Sequence, residues 1–212
     1  MIEYVIAHNP DDRVLRKASE LLRNGKIICF PTDTNWILAA SSSSKDGIEK
    51  LYKIKKESKQ KHFSILCSSI SMASEVALID NQAFKALKKA IPGNFTFIFE
   101  ATKKIAKYIQ ASKTDKEVGI RFVPSVLVTK LIETFEEPLV STNIPYESFH
   151  LNSEDINEIY SYMLEEKLFG ICDMIIDPGE IEFAGISTVI DYSKPTGPEI
   201  LRQGIADASF LI

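Results

Sequence analysis

Residues 27–34 read Ile27-Ile28-Cys29-Phe30-Pro31-Thr32-Asp33-Thr34, an apolar run that ends on a proline and three polar side chains. A proline cannot donate to the ladder of a central strand, so the pattern predicts a buried strand that stops at Pro31. Thr32 and Asp33 then follow a strand end, the place where open α/β sheets collect their ligands. Two interpretations stay open at this point. Thr32 offers its hydroxyl to a polar ligand, or Asp33 bonds the nearby backbone in a structural turn.

The composition of the 212 residues is that of an ordinary soluble globular protein, with 45% hydrophobic and 25% charged residues. The net charge of −4 argues against a surface that is wholly a nucleic-acid footprint, although it is compatible with a local basic face. The longest apolar runs are strand-sized, so we expect no membrane-spanning segment. Cys29, Cys67 and Cys172 lie in apolar runs and are typical of small buried thiols in a reducing compartment. Residues 1–6 lack the pattern of a secretory leader, and we therefore expect a cytoplasmic protein.

Helical and strand patterns alternate along the chain, without a flexible linker or an internal repeat. This predicts an α/β fold, a single domain over residues 1–212, with a mixed sheet flanked by helices on both faces. The first helix is predicted to begin at Asn9-Pro10, with Asn9 as its cap, Pro10 in the first helical position and Asp11 and Asp12 in the first turn. Further helices are predicted to begin near Asp46, Asp80, Ser125 and Ser153. Strands are predicted at Lys26–Phe30, Phe63–Cys67, Phe95–Glu100, Val118–Val123, Pro138–Ser141, Asp173–Asp177, Thr188–Tyr192 and Ile200–Arg202.

Generic motifs give little information about chemistry. The sequence has neither of the common glycine-rich phosphate loops and no nucleophile elbow. The histidines, His8, His62 and His150, have no metal-ligand spacing with one another or with the cysteines, so we expect no metal site on the protein itself.

Arg121 is the most informative polar residue, because it lies inside an apolar strand pattern and a buried guanidinium needs an anionic partner. That partner is either a structural carboxylate such as Asp33, or the carboxylate or phosphate of a ligand. Further polar side chains stand at strand ends, in Ser141-Thr142-Asn143, in Ser187-Thr188 and at Arg202. Lysines cluster at Lys50, Lys53, Lys55, Lys56, Lys59 and Lys61, most of them on a solvated helix face.

In this order and spacing the residues resemble the YrdC/YciO family, whose best-known members are threonylcarbamoyl-AMP synthases, and the resemblance covers nearly the whole chain. The stretches around Asp80 and Pro92 resemble the YciO branch. The family patterns match Pro31 to Thr34, Lys55, Pro92-Gly93-Asn94-Phe95-Thr96, Gly119-Ile120-Arg121, Ser141-Thr142-Asn143, Ser187 to Asp191 and Arg202-Gln203-Gly204.

The resemblance implies a twisted mixed sheet that encloses a concave, basic cavity. It also implies a nucleotidyltransferase reaction, in which threonine, bicarbonate and ATP with Mg²⁺ condense to threonylcarbamoyl-AMP for the modification of tRNA. In that reaction Arg121 binds the threonine carboxylate in a bidentate manner. The threonine-binding residues implied are Thr32, Arg121, Ser187 and Thr188, and the nucleotide-binding residues are Lys55, Ser141, Asn143 and Arg202.

Glu57 departs from the family pattern, since an arginine is expected two residues after Lys55. A carboxylate there reverses the local charge and weakens the binding of a polyanion unless a neighbouring lysine compensates. One alternative function is therefore a non-catalytic protein that binds double-stranded RNA or tRNA by shape and backbone charge. Another is a related enzyme that kept the cavity and changed its small-molecule substrate.

Overall fold

The computed structural model describes residues 1–55, 63–103, 105, 116–144 and 156–211, with Lys55 described by its backbone alone. Within these ranges the chain forms one ten-stranded sheet, which confirms the predicted mixed α/β fold. The strand order is β1-β8-β2-β3-β7-β4-β6-β5-β9-β10. The strands are β1 Ile2–Tyr4, β2 Ile28–Pro31, β3 Trp36–Ser41, β4 Ser64–Leu66, β5 Phe95–Glu100, β6 Glu117–Arg121, β7 Leu139–Asn143, β8 Met174–Asp177, β9 Thr188–Asp191 and β10 Glu199–Arg202.

Four of the strand pairs are parallel, β1 with β8, β2 with β8, β4 with β6 and β5 with β9, and the others are antiparallel. Parallel strands need a crossover connection, which explains why helical segments alternate with strands along the sequence. The helices are α1 Asp12–Arg23, α2 Lys45–Lys55, α3 Ile70–Ser74, α4 Asn81–Ala90, α5 Val126–Phe135 and α6 Ser161–Lys167, with a 3₁₀ turn at Ile156–Glu158.

Side-chain caps fix the starts of three long helices, and the starts of α4 and α5 are where the sequence predicts them. The prediction that Asn9 caps the first helix is wrong, because α1 begins two residues later, after Asp11. Asp11, Asp80 and Ser125 each accept a hydrogen bond from a backbone N–H in the first turn of α1, α4 and α5. The fourth long helix is different, because Gly47 N–H donates to Ser44 Oγ at 3.0 Å. The prediction that Asp46 caps α2 is therefore wrong, and Asp46 lies in the first turn, where its charge complements the helix dipole.

The two faces of the sheet are covered unequally. Helices α2, α3, α4 and α6 contribute to the apolar cluster on the first face, which includes the phenylalanines of β5. Helices α1 and α5 pack on the second face, against apolar residues of β2, β3, β4, β7 and β8. No described residue of β5, β6, β9 or β10 belongs to that second cluster. The second face of these four strands is therefore the part of the sheet that the described helices leave uncovered.

Two strands and two helices differ from the prediction, and one of the helices, α3, was not predicted. β3 was not predicted, because all six of its residues are buried and no polar alternation marks it. β1 was not predicted either, because it has only three residues. The continuous helix predicted from Ser153 is instead a 3₁₀ turn and α6, separated at Tyr160, which is exposed and precedes the first turn of α6. Ser153 itself lies outside the described residues.

Cys29 and Cys67 are buried, Cys172 is half-buried, and all three are free thiols, as predicted. In the described ranges, no helix combines the length and apolar character that a membrane span requires.

Candidate functional site

Small side chains line the second face where it emerges from under α1 and α5. Ser141 of β7 lies opposite Ser64 of β4, which in turn lies opposite Gly119 of β6, and residues directly opposed in neighbouring strands share a face. Ser141 Oγ donates to the Ser64 carbonyl at 3.0 Å. A Cβ on Gly119 would lie 3.3 Å from Thr96 Cγ2, a tight contact. We call Ser64, Thr96, Gly119 and Ser141 the polar floor.

Arg121 ends β6 beside this floor and is buried, with 6% of its surface exposed. Its Nη2 donates to Asp33 Oδ1 at 2.6 Å, and its Nη1 donates to Thr34 Oγ1 at 3.0 Å. Its Nε is also buried, and it has no hydrogen-bond partner among the described residues. Asp33, one of the two partners that the sequence suggested for Arg121, therefore forms the ion pair, and the Nε–H of Arg121 remains a buried donor without an acceptor among the described residues.

Opposing effects act on the pKa of Arg121. Burial lowers the pKa of the guanidinium, the Asp33 carboxylate raises it, and the positive charge of Arg202 lowers it. An arginine stays protonated in proteins, so this buried cation persists. A buried N–H without an acceptor costs free energy, and a ligand oxygen placed there would recover it.

A tight turn holds Asp33 in position next to Arg121. Asn94 Nδ2 donates to Asp33 Oδ2 at 2.5 Å, while the Asp33 carbonyl accepts from Ala184 N–H at 2.8 Å. Asn94 follows Gly93, whose N–H donates to the carbonyl of Phe122, the residue after Arg121. A Cβ on Gly93 would lie 2.5 Å from the Ala90 carbonyl oxygen, which excludes larger residues from this turn.

Arg202 approaches the floor from the edge strand β10. Its Nη2 and Nε donate to the Ser187 carbonyl at 2.8 and 3.2 Å, and Nη2 also lies 3.1 Å from Ser187 Oγ. Ser187 Oγ is 2.9 Å from Thr96 Oγ1, so this hydroxyl pair connects Arg202 to the polar floor. A Cβ on Gly204 would lie 2.3 Å from the Ile186 carbonyl oxygen, which explains the glycine of the Arg-x-Gly pattern.

The site therefore brings two guanidinium groups and one carboxylate to the same sheet face. Arg202 lies opposite Val189, and Val189 lies opposite Thr96, which contacts the β6 strand that carries Arg121. Asp33 forms an ion pair with Arg121, whereas the hydrogen bonds given above for Arg202 go to neutral oxygens of Ser187. An arrangement of this kind can bind a carboxylate or a phosphate.

Besides Ser187, two more of the predicted threonine contacts have hydroxyls that are already engaged within the chain. Thr32 Oγ1 accepts from the N–H groups of Thr34 and Asn35, each at 3.2 Å, and donates to the Asn35 carbonyl at 3.0 Å. Thr188 Oγ1 donates to the Ala206 carbonyl at 2.7 Å and accepts from Gly204 N–H at 3.0 Å. Thr32 thus shapes the turn that carries Asp33, and Thr188 fixes the segment that follows Arg202.

The predicted nucleotide-binding residues are described in part. Ser141 is buried in the floor, and Asn143 is exposed at the end of the same strand, on the same face. Lys55 is the last residue of α2. Lys50 is exposed and donates to the Gly25 carbonyl at 3.2 Å, as expected for a lysine on a solvated face. The predictions for Lys56, Glu57, Lys59, Lys61 and His62 fall outside the described residues.

Four residues of the site were not singled out from the sequence, namely Thr34, Ser64, Asn94 and Thr96. Thr34, Asn94 and Thr96 lie inside sequence motifs that were quoted above, but the sequence does not reveal which groups they contact. Ser64 is the first residue of a short strand, and nothing in the sequence marks it as part of the floor.

A cavity of about 350 Å³ lies against the turn that carries Thr32 and Asp33. Its lining also contains Ser125, Glu180 and Glu182, so it has an acidic side. This cavity differs from the basic one that the family resemblance implies, which would be lined by Arg121 and Arg202. Across the described ranges, no three histidine, cysteine or acidic side chains are grouped so that they could hold a metal ion.

Comparison with known proteins gives a consistent result. The Sua5/YciO/YrdC family model, described as Telomere recombination, matches residues 20–204. The uncharacterized protein YciO of Escherichia coli K12 is 29% identical over 204 residues, which are 96% of this chain and 95% of that protein. The crystal structure of E. coli YciO superposes with a TM-score of 0.85 and covers 100% of this chain and 99% of that one.

Two further similarities are to synthase-related proteins. The threonylcarbamoyl-AMP synthase of Bos taurus is 27% identical over 212 residues, which cover 94% of this chain and 72% of that protein. The structure of Pyrococcus abyssi Sua5, solved in complex with L-threonine, has a TM-score of 0.79 at 24% identity, and covers 96% of this chain and 57% of that one. At that identity the likeness shows the fold alone.

Proposed function

Because the chain belongs to the Sua5/YciO/YrdC family, we propose that it condenses L-threonine, bicarbonate and ATP to threonylcarbamoyl-AMP and releases pyrophosphate. The single observation that carries the proposal is the buried Nε–H of Arg121, which has no acceptor among the described residues and borders a polar sheet face. The name of the bovine relative supplies the reaction, and the L-threonine complex of P. abyssi Sua5 supplies the amino acid.

The amino acid binds at the arginine side of the polar floor in this proposal. The threonine carboxylate accepts a hydrogen bond from Arg121 Nε, the donor that lacks a partner. This brings a second carboxylate close to Asp33, and the positive charge of Arg202 reduces the repulsion between the two. Hydrogen bonds to charged groups contribute about 1.5–3 kcal/mol each, so these two residues account for much of the affinity for a small amino acid.

The nucleotide binds at the other side of the floor, near Asn143, and the family resemblance assigns Lys55, the last residue of α2, to the same ligand. The threonine amine adds to bicarbonate, with loss of water, to give a carbamate. A carbamate oxygen then attacks the α-phosphorus of ATP, and the bond from that phosphorus to the pyrophosphate oxygen breaks. Such a reaction depends mainly on positioning and on the neutralisation of phosphate charge.

Mg²⁺ enters this reaction with ATP as part of the substrate. Magnesium prefers oxygen ligands and usually keeps several waters, so phosphate oxygens hold it without a dedicated protein site. The donor set of the described residues fits this role, since it offers hydroxyls and an amide near the floor and no acidic cluster.

Calorimetric titration tests the proposal. We expect wild-type protein to bind L-threonine, and to bind it more tightly when ATP and Mg²⁺ are present, because both ligands occupy one face. Arg202→Gln should weaken threonine binding, whereas Arg16→Gln, a change at an exposed position of α1, should leave it unchanged. Absence of binding heat with millimolar threonine, with and without nucleotide, would refute the proposal.

A further inference from the structure

Asn94, Asp33 and Arg121 form a hydrogen-bonded chain in which each carboxylate oxygen of Asp33 has a different donor. Oδ1 accepts from Arg121 Nη2 and Oδ2 accepts from Asn94 Nδ2. Both members of the ion pair are buried, with 7% and 6% of the Arg121 and Asp33 side chains exposed. The orientation of the carboxylate is therefore set from two sides.

This orientation decides which donors of Arg121 stay available. Carboxylates and guanidinium groups favour a bidentate arrangement with two parallel N–H···O bonds. Asp33 makes one such bond, to Nη2, because Asn94 binds its second oxygen. Without Asn94, Oδ2 would be a buried acceptor that lacks a donor, and a rotation of the carboxylate towards the unpartnered Nε of Arg121 would satisfy it with the parallel pair of bonds that these groups favour.

We propose that Asn94 is a positioning residue, which holds Asp33 away from Arg121 Nε and so keeps that donor open for the carboxylate of the substrate. The identity of the substrate rests on the function proposed above. The position of Asn94 is rigid, because the Gly93 N–H is fixed to the Phe122 carbonyl and the Asn94 carbonyl accepts from Thr188 N–H at 3.0 Å. These main-chain contacts remain when the side chain is shortened, so Asn94→Ala removes the amide and retains the turn.

The experiment compares wild type with Asn94→Ala by calorimetry, using L-threonine and, separately, ATP with Mg²⁺. We expect the variant to bind threonine at least about tenfold more weakly, since its Asp33 competes for the same donor, and to bind ATP as wild type does. Asn94→Gln, which retains the amide, should restore threonine binding. Asn24→Ala is the matched control, because it removes another side-chain amide, one that donates to the exposed end of α1.

A second measurement does not need a ligand. The Arg121 Nε–H resonance, assigned by its loss in Arg121→Lys, should move downfield in Asn94→Ala as the proton gains a charged hydrogen bond. An unmoved resonance, or a threonine affinity equal to that of wild type, would overturn the role of Asn94. Failure of wild type itself to bind threonine would instead overturn the proposed function, and the resonance would still test the positioning of Asp33.

Discussion

Substitution of Arg121 separates its structural role from its role in binding. Arg121→Lys keeps a cation opposite Asp33, but it loses the hydrogen bond to Thr34 and the Nε–H donor. Loss of a hydrogen bond from the charged guanidinium costs about 1.5–3 kcal/mol of stability. For a protein of this size that corresponds to a fall of roughly 3–12 °C in Tm. The variant should therefore fold.

Arg121→Lys should also weaken ligand binding. A hydrogen bond to a charged group contributes about 1.5–3 kcal/mol, so threonine binding should weaken by roughly ten- to hundredfold. Lysine cannot reproduce the planar fork that serves Asp33, Thr34 and a ligand together. Calorimetry measures this affinity, and thermal unfolding measures the stability of the same sample.

Arg121→Met removes the cation and leaves the buried Asp33 carboxylate without its ion-pair partner. Breaking a buried pair in this way costs about 3–5 kcal/mol, at least as much as the loss expected for the lysine variant. Arg13→Lys, at an exposed position on α1, is the control and should change neither stability nor binding. If Arg121→Lys binds threonine as tightly as wild type, Arg121 is a structural partner of Asp33 and nothing more.

Three further changes test other parts of the account. Gly204→Ala places a methyl group against the backbone of Ser187 and should cost about 1–3 kcal/mol of stability and weaken threonine binding; unchanged Tm and affinity would contradict this. Glu57→Arg restores the charge that the family pattern expects and should tighten ATP binding, and equal affinity would show that the Glu57 carboxylate does not face the phosphates. Burial raises the pKa of the Cys29 and Cys67 thiols, so they stay protonated in the native state while the unfolded chain loses these protons above pH of about 8.5. The unfolding free energy, measured in urea, should then fall by about 1.4 kcal/mol per thiol for each pH unit above that value. Cys29→Ala should make this dependence on pH less steep, and a variant with the same dependence as wild type would contradict the role of the Cys29 proton.

Much of the fold could be predicted because local signals agree with the final structure. Asp80 and Ser125 cap the helices that their positions predict, and the alternation of Phe95–Glu100 matches a strand with one buried aromatic face. β3 could not be predicted in this way. A strand that is buried on both faces has no polar alternation, and its identity depends on neighbours that lie far away in the sequence.

The site was predictable at the level of residue types, and its contacts were not. The sequence indicated that buried Arg121 needs an anion, and Asp33 was one of the two partners considered, which the structure confirms. The same pattern marked Thr32 and Thr188 as free hydroxyls, although both are used by nearby main-chain groups. Whether a hydroxyl is free depends on turn geometry and on segments that meet only in the folded chain. For the same reason Asn94 was visible as a motif position but not as the partner of Asp33.

The most direct test of the central claim is a pyrophosphate-release assay with purified wild-type protein, ATP, Mg²⁺, L-threonine and bicarbonate, with Arg121→Lys measured in parallel. The account predicts pyrophosphate release that requires both threonine and bicarbonate, accompanied by threonylcarbamoyl-AMP, and strongly reduced in the variant. Pyrophosphate release that is absent, or that proceeds equally without threonine, would contradict it.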